Sequence, residues 1–214
     1  MRSALAASLT AGARSILGRS LQERELESFA KYLNLLQKWQ KIHRLVGSTD
    51  PGWIVENLFL DSLLFLRVLP ADIGSVADLG SGAGFPGIPI KIVRSDLDLA
   101  LIESRARRVS FLSTVLRELA LERARVIAGR VESLPQEIRG TFGAVVMRCA
   151  GNVENLLPQA ERLLVPGGTI VVSGPPARVP ISQGQWVEVP GIRPDRTRRF
   201  AVYRPRGSVA ARSV

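Results

Sequence analysis

Three glycines at alternate positions, Gly80, Gly82 and Gly84, follow an apolar run that carries a carboxylate, Val76-Ala77-Asp78-Leu79. Glycine takes positive φ at no steric cost and lets a backbone approach a ligand where a Cβ would intrude. The segment therefore reads as a strand handing over to a cofactor-gripping turn. Asp78 decides the kind of cofactor, because a carboxylate beside the turn repels a bare pyrophosphate. It suits a cationic ligand such as S-adenosylmethionine, with its amino and sulfonium groups. On this reading Asp78, Gly80, Gly82 and Gly84 bind the cofactor. Gly82-Ala83-Gly84-Phe85-Pro86-Gly87 also matches G-x-G-x-x-G. For a dinucleotide site, however, the glycines start too early, at Gly80, and Pro86 stands where an uninterrupted helix start is needed. No Gly-Lys-Ser/Thr follows, so a P-loop is not present.

Other candidates lie where later strands should end. Leu97 to Glu103 reads as a second strand, and Glu103 comes 23 residues after Gly80, where a carboxylate reaches the ribose hydroxyls of an adenosine-bearing cofactor. Arg130-Val131-Glu132 and Arg148-Cys149-Ala150 follow the third and fourth strands. Glu132 also fits a solvated acid at a strand-to-helix junction. Arg148 suits a carboxylate or a target base, and its bland role is a strand-end salt bridge. Cys149 is read as a small packing residue rather than a nucleophile. Transfer of a methyl group already activated by its sulfonium asks mostly for proximity and orientation. That agrees with a chain whose only histidine, His43, sits in an N-terminal layer.

The whole chain fits these candidates. The net charge of +10, with 29 Lys and Arg against 19 Asp and Glu, points to a polyanionic partner, nucleic acid first; an arginine-rich composition without a contact role is the alternative. One cysteine excludes an intrachain disulfide and a multi-cysteine zinc site. No apolar run approaches the roughly 20 residues that span a bilayer, so the expectation is a soluble, cytoplasmic chain with no membrane or metal partner, acting as a monomer. Residues 1–19 lack acids and resemble a transit peptide superficially, but are expected to form a basic, partly disordered arm. Residues 20–70 should form a helical layer: Leu26, Phe29, Leu33 and Leu36 recur at helical spacing, and Asp50-Pro51 reads as an N-cap opening a helix to about Val68. Residues 71–206 alternate strand and helix, giving a parallel, doubly wound α/β sheet. In it a helix is expected over 152–164, ended by Pro166-Gly167-Gly168, with the fifth strand at 169–172. Two closing strands, near 185–189 and 200–204, should pair antiparallel, and 207–214 is a tail.

The motif Asp78 to Pro89, with Leu60-Asp61-Ser62, Glu103-Ser104, Arg108-Val109, Phe111-Leu112, Arg130-Val131-Glu132 and Arg148, resembles the bacterial small-subunit ribosomal RNA methyltransferase G family (glucose-inhibited division protein B). The similarity runs from about Leu26 to Tyr203. It implies a Rossmann-like class I fold with an N-terminal helical extension and an S-adenosylmethionine-dependent enzyme methylating N7 of a guanosine in the 530 loop of 16S rRNA, in the small ribosomal subunit. By motif position, Gly80, Phe85, Glu103, Ser104, Arg105, Val131, Glu132 and Arg148 would contact the cofactor, with Arg148 also the catalytic candidate. RNA contacts are expected from Lys41, Arg44, Arg107, Arg108, Arg198 and Arg199, flanking the same mouth. The departures gather on the acceptor side. The usual Trp-Asn…Asn-Leu-Thr pattern reads Trp39-Gln40-Lys41-Ile42-His43-Arg44-Leu45-Val46, the expected histidine is Leu58, and the expected lysine is Ser173. A different RNA, a protein, a small molecule, or a non-catalytic RNA-binding role stays open.

Overall fold

A computed structural model describes residues 3–148, 153–174, 181, 184–193 and 195–205. Cys149, Ala150, Asn152 and the tail at 207–214 lie outside the described residues.

Seven strands form one sheet in the order β3-β2-β1-β4-β5-β7-β6. Strands β1 (Ser75–Leu79), β2 (Asp98–Glu103), β3 (Ala124–Ala128), β4 (Phe142–Met147) and β5 (Leu164–Ser173) are parallel. The closing strands β6 (Gln185–Pro190) and β7 (Thr197–Tyr203) run antiparallel, as expected for the end of the chain. Successive side chains on a strand point to opposite faces, and the apolar runs supply both. Val76, Leu99, Leu101, Ala144 and Val146 face one core, and Ala77, Ala100, Ile102, Val145 and Met147 the other. Two covered faces explain why these strands read as continuous apolar runs rather than alternating ones.

The first core is covered by helices. α1 (Ser3–Leu17), α2 (Glu23–Gln40), α5 (Gly87–Val93) and α6 (Ala106–Glu118) lie on it, with a helical rod over 51–67. The rod starts as α3 (Pro51–Ile54), where the Asp50 carboxylate accepts a bond from the Trp53 N–H at 2.7 Å. It widens into a π turn (Val55–Leu60), continues as α4 (Asp61–Leu63) and ends in a 3₁₀ turn (Leu64–Arg67). The N-terminal segment is a correction to the expected arm. α1 buries Leu9, Ala13 and Ile16, and Arg67 caps its end by donating to the Ser15 carbonyl at 2.7 Å. A cation at a helix C-terminus is favourable. Arg19, counted among the arm's cations, is spent on Glu25 at 2.6 Å.

The second core lies under α7 (Leu157–Glu161), preceded by a 3₁₀ turn (Val153–Asn155). The helix is shorter than expected because Pro158 is confined to its first turn. Pro166-Gly167-Gly168 does not end it but lies inside β5, where the register against β4 shifts between Phe142 and Ala144. A strand tolerates proline and glycine at such an irregularity.

Candidate active site

Strand order reverses between β1 and β4, and ligands of open α/β sheets bind beyond the carboxyl ends of the strands at such a point. β1 ends at Leu79, beside the glycine turn, and β4 ends at Met147, directly before Arg148.

The three alternate glycines all take left-handed φ, +74° at Gly80, +61° at Gly82 and +94° at Gly84. They do different work. A Cβ on Gly80 would meet nothing within 4 Å, and one on Gly82 only Arg108 Nη1 at 3.6 Å and its own turn. A Cβ on Gly84 would strike Ile88 and the Tyr32 hydroxyl at 2.8 Å. Gly80 and Gly82 therefore face open space, while Gly84 is a packing glycine against α2. Phe85 is also turned inward, 5.4 Å from the Tyr32 ring and 6.1 Å from Phe59. Tyr32 donates its hydroxyl to the Ala83 carbonyl, so α2 holds the turn from beneath.

Most of the turn's amides are spent on the protein. Gly80 and Ser81 donate to the Ile102 carbonyl at 2.9 and 3.0 Å, Gly84 to Ser81 at 2.7 Å, and Gly87 to the Asp78 carboxylate at 2.9 Å. A phosphate cradle offers free N–H groups, and this turn instead points them at carbonyls and carboxylates. That is a physical reason against a dinucleotide. Asp78 is fully buried, and burial pushes its carboxyl up to about 7, against the Gly87 N–H that favours the charged form. Its Oδ1 is buried without a protein partner.

Glu103 is 5% exposed and closes onto the turn. Its Oε2 accepts from the Gly82 N–H at 3.0 Å, its Oε1 from the Ser104 and Arg105 N–H groups at 2.9 Å, and Arg108 Nη1 lies 3.7 Å away. Ser104, Arg105, Arg107 and Glu132 are exposed at the rim, and Val131 packs against the second core.

Across the crevice, Arg148 and Arg198 share Asp61. Arg198 Nε lies 2.8 Å from Asp61 Oδ1, and Arg148 Nη2 lies 3.4 Å from Oδ2. Arg148 also donates to the Asn57 carbonyl in the π turn, and its Nη1 is buried with no protein partner. Burial pulls the Arg148 guanidinium below its ordinary value, with Asp61 opposing. Arg198 donates to the Gly174 carbonyl at 2.9 Å. Arg199 goes elsewhere: its neighbour's side chain points to the opposite face of β7, and Arg199 pairs with Glu188 at 2.8 Å. Lys41 and Arg44 are exposed on the turn after α2. That turn is pinned by Gln40, whose Oε1 accepts from the Leu45 and Val46 N–H groups at 2.6 and 3.0 Å.

Tyr32, Asn57 and Gln40 carry no site signal in the sequence, and Asp61 stands out only within the motif Leu60-Asp61-Ser62. Tyr32 lies three residues after Phe29, so helical spacing marks it as buried. No local signal announces that the Asn57 carbonyl receives an arginine from β4.

A turn of left-handed glycines, two of them open, between strands that carry acids at their ends, at the switch point of this sheet, defines a Rossmann-like methyltransferase fold. A solved structure of a SAM dependent methyltransferase from Aquifex aeolicus shares it, with a TM-score of 0.53 at 20% identity over 72% of this chain and 93% of that one. The family model described as GidB, rRNA small subunit methyltransferase G, matches residues 25–174. Proteins named ribosomal RNA small subunit methyltransferase G are similar: that of Halorhodospira halophila is 35% identical over 68% of each chain, and that of Xanthomonas oryzae pv. oryzae 31% identical over 89% of this chain and 95% of its own. The chain belongs to the rRNA small subunit methyltransferase G family.

Proposed function

We propose that this chain transfers a methyl group from S-adenosylmethionine to N7 of a guanosine in the 530 loop of 16S rRNA, acting in the cytoplasm as a monomer without a metal ion. The observation that carries the reading is the crevice itself: open Gly80 and Gly82 between Asp78 and Glu103 on one side, and Arg148 with an unpaired Nη1 on the other. These residues fit the donor. Arg148 Nη1 suits its carboxylate, the Asp78 carboxyl with its unpaired Oδ1 suits its cationic end, which favours the ionised form of that acid, and Glu103 suits its ribose. S-adenosylmethionine supplies a methyl group already activated by its sulfonium. Guanine N7 carries a lone pair at neutral pH, so the protein orients the two reactants and keeps water out. No residue has to remove a proton before attack, and among the described residues no cluster of metal-ligating side chains stands at the crevice. Among the described residues no helix is long and apolar enough to cross a membrane.

RNA reaches this mouth on the side of Arg107 and Arg108, at the first turn of α6, and of Arg198. A second reading keeps the donor and changes the acceptor. It is favoured by Leu58, 7% exposed within the first core where the family motif has a histidine, and by Ser173 at the end of β5. Incorporation of labelled methyl from S-adenosylmethionine into unmethylated 16S rRNA tests both, with donor binding measured by calorimetry for the wild type and Gly82→Asp. Donor binding lost in Gly82→Asp, with incorporation confined to the 530 loop, is the expected result. Donor binding without incorporation into 16S rRNA favours the second reading.

A further inference from the structure

Asp61 is the acid that Arg148 and Arg198 both pair with among the described residues, and its side chain is only 13% exposed. It follows directly on the π turn, whose Asn57 carbonyl takes the same Nη2 of Arg148. A guanidinium grips a carboxylate or phosphate best when its planar fork is held in place, because less freedom is then lost on binding. Asn57 and Asp61 fix it for Arg148, and Asp61 and the Gly174 carbonyl fix it for Arg198. Without the carboxylate, two half-buried cations would face each other unbalanced, which is unfavourable where water is scarce. With it, the trio keeps one surplus positive charge, and Arg148 Nη1 is left unpaired.

We propose that Asp61 is a positioning residue for both reactants: it contacts neither, but holds Arg148 for the carboxylate of the methyl donor and Arg198 for an RNA phosphate. The inference rests on the reading above, in which Arg148 faces the donor and Arg198 the RNA.

A residue that acts only through another adds nothing once that other is gone, so two double-mutant cycles test the idea. In the first, S-adenosylmethionine binding is measured by calorimetry. Asp61→Asn should weaken it about tenfold in the wild-type background and not further in Arg148→Ala. In the second, binding of a 16S rRNA fragment containing the 530 loop should fall about tenfold with Asp61→Asn and not further in Arg198→Ala. Asp61→Glu, which keeps the charge, should recover part of both losses. Should Asp61→Asn fail to fold, the same cycles are run with Asp61→Glu, and smaller losses with the same non-additivity are expected. Unchanged affinities in a folded Asp61→Asn protein overturn the proposal. So do equal losses with and without Arg148, because a generally loosened fold gives additive effects. A wild-type chain that binds the donor but not the RNA sinks the acceptor reading, and the donor cycle then decides Asp61. One that binds neither sinks both.

Discussion

Asp78 ties the glycine turn to the end of β1, and its burial makes the fold sensitive to pH. Its carboxyl is pushed from 3.8 to about 7 in the folded chain. The folded protein therefore keeps a proton that the unfolded chain gives up above pH 3.8, and unfolding is favoured as pH rises between those values. Stability present below that range is lost as pH rises through about 7, by up to about 4 kcal/mol. Urea unfolding of Asp78→Asn from pH 4 to 8 should show a flatter profile than the wild type, and equal slopes would contradict this account. The glycines give a second test. Gly84→Ala combines left-handed backbone strain with a clash against Tyr32 and Ile88, whereas Gly80→Ala meets only the strain. Strain costs about 1–3 kcal/mol and overpacking about as much again, so the urea midpoint of Gly84→Ala should fall well below that of Gly80→Ala. At this scale the sequence shows that alternate glycines need positive φ. It does not show which of them face inward, because Tyr32, from a helix some fifty positions earlier, decides that.

The elements differ in how plainly they can be read. The strands were legible because both faces are covered and the runs are apolar throughout, and the rod's start was legible from Asp50-Pro51. α1 was hidden by composition: few charges and three arginines suggested an arm, although Leu5, Leu9 and Ile16 already carried helical spacing. Leu9 is fully buried, and Leu9→Ala should cost about 3 kcal/mol in urea unfolding. A loss near zero would mean that α1 does not dock in solution. The π turn has no sequence signature of its own, since it is fixed by packing and by what Asn57 and Asp61 bind. Much of the candidate site was therefore visible as residues, Asp78, Glu103 and Arg148 among them. The arrangement across the crevice was not, because it depends on contacts between β4, β7 and the rod.

Across the whole molecule, the positive charge is not one undivided surface. Arg19, Arg94, Arg123, Arg193 and Arg199 are held in ion pairs, so net charge overstates what is left for RNA. Arg107, exposed at the rim of the crevice, and Arg108, whose contact with Glu103 is a long one at 3.7 Å, are better placed. Neutralising both should weaken RNA binding and reduce the slope of log affinity against log salt by about 1 to 2; an unchanged slope would remove them from the interface. The acceptor itself is read by mass spectrometry of 16S rRNA from a strain lacking this gene, before and after complementation. One 7-methylguanosine in the 530 loop should disappear and then return. A modification map that stays the same in both strains would contradict that acceptor.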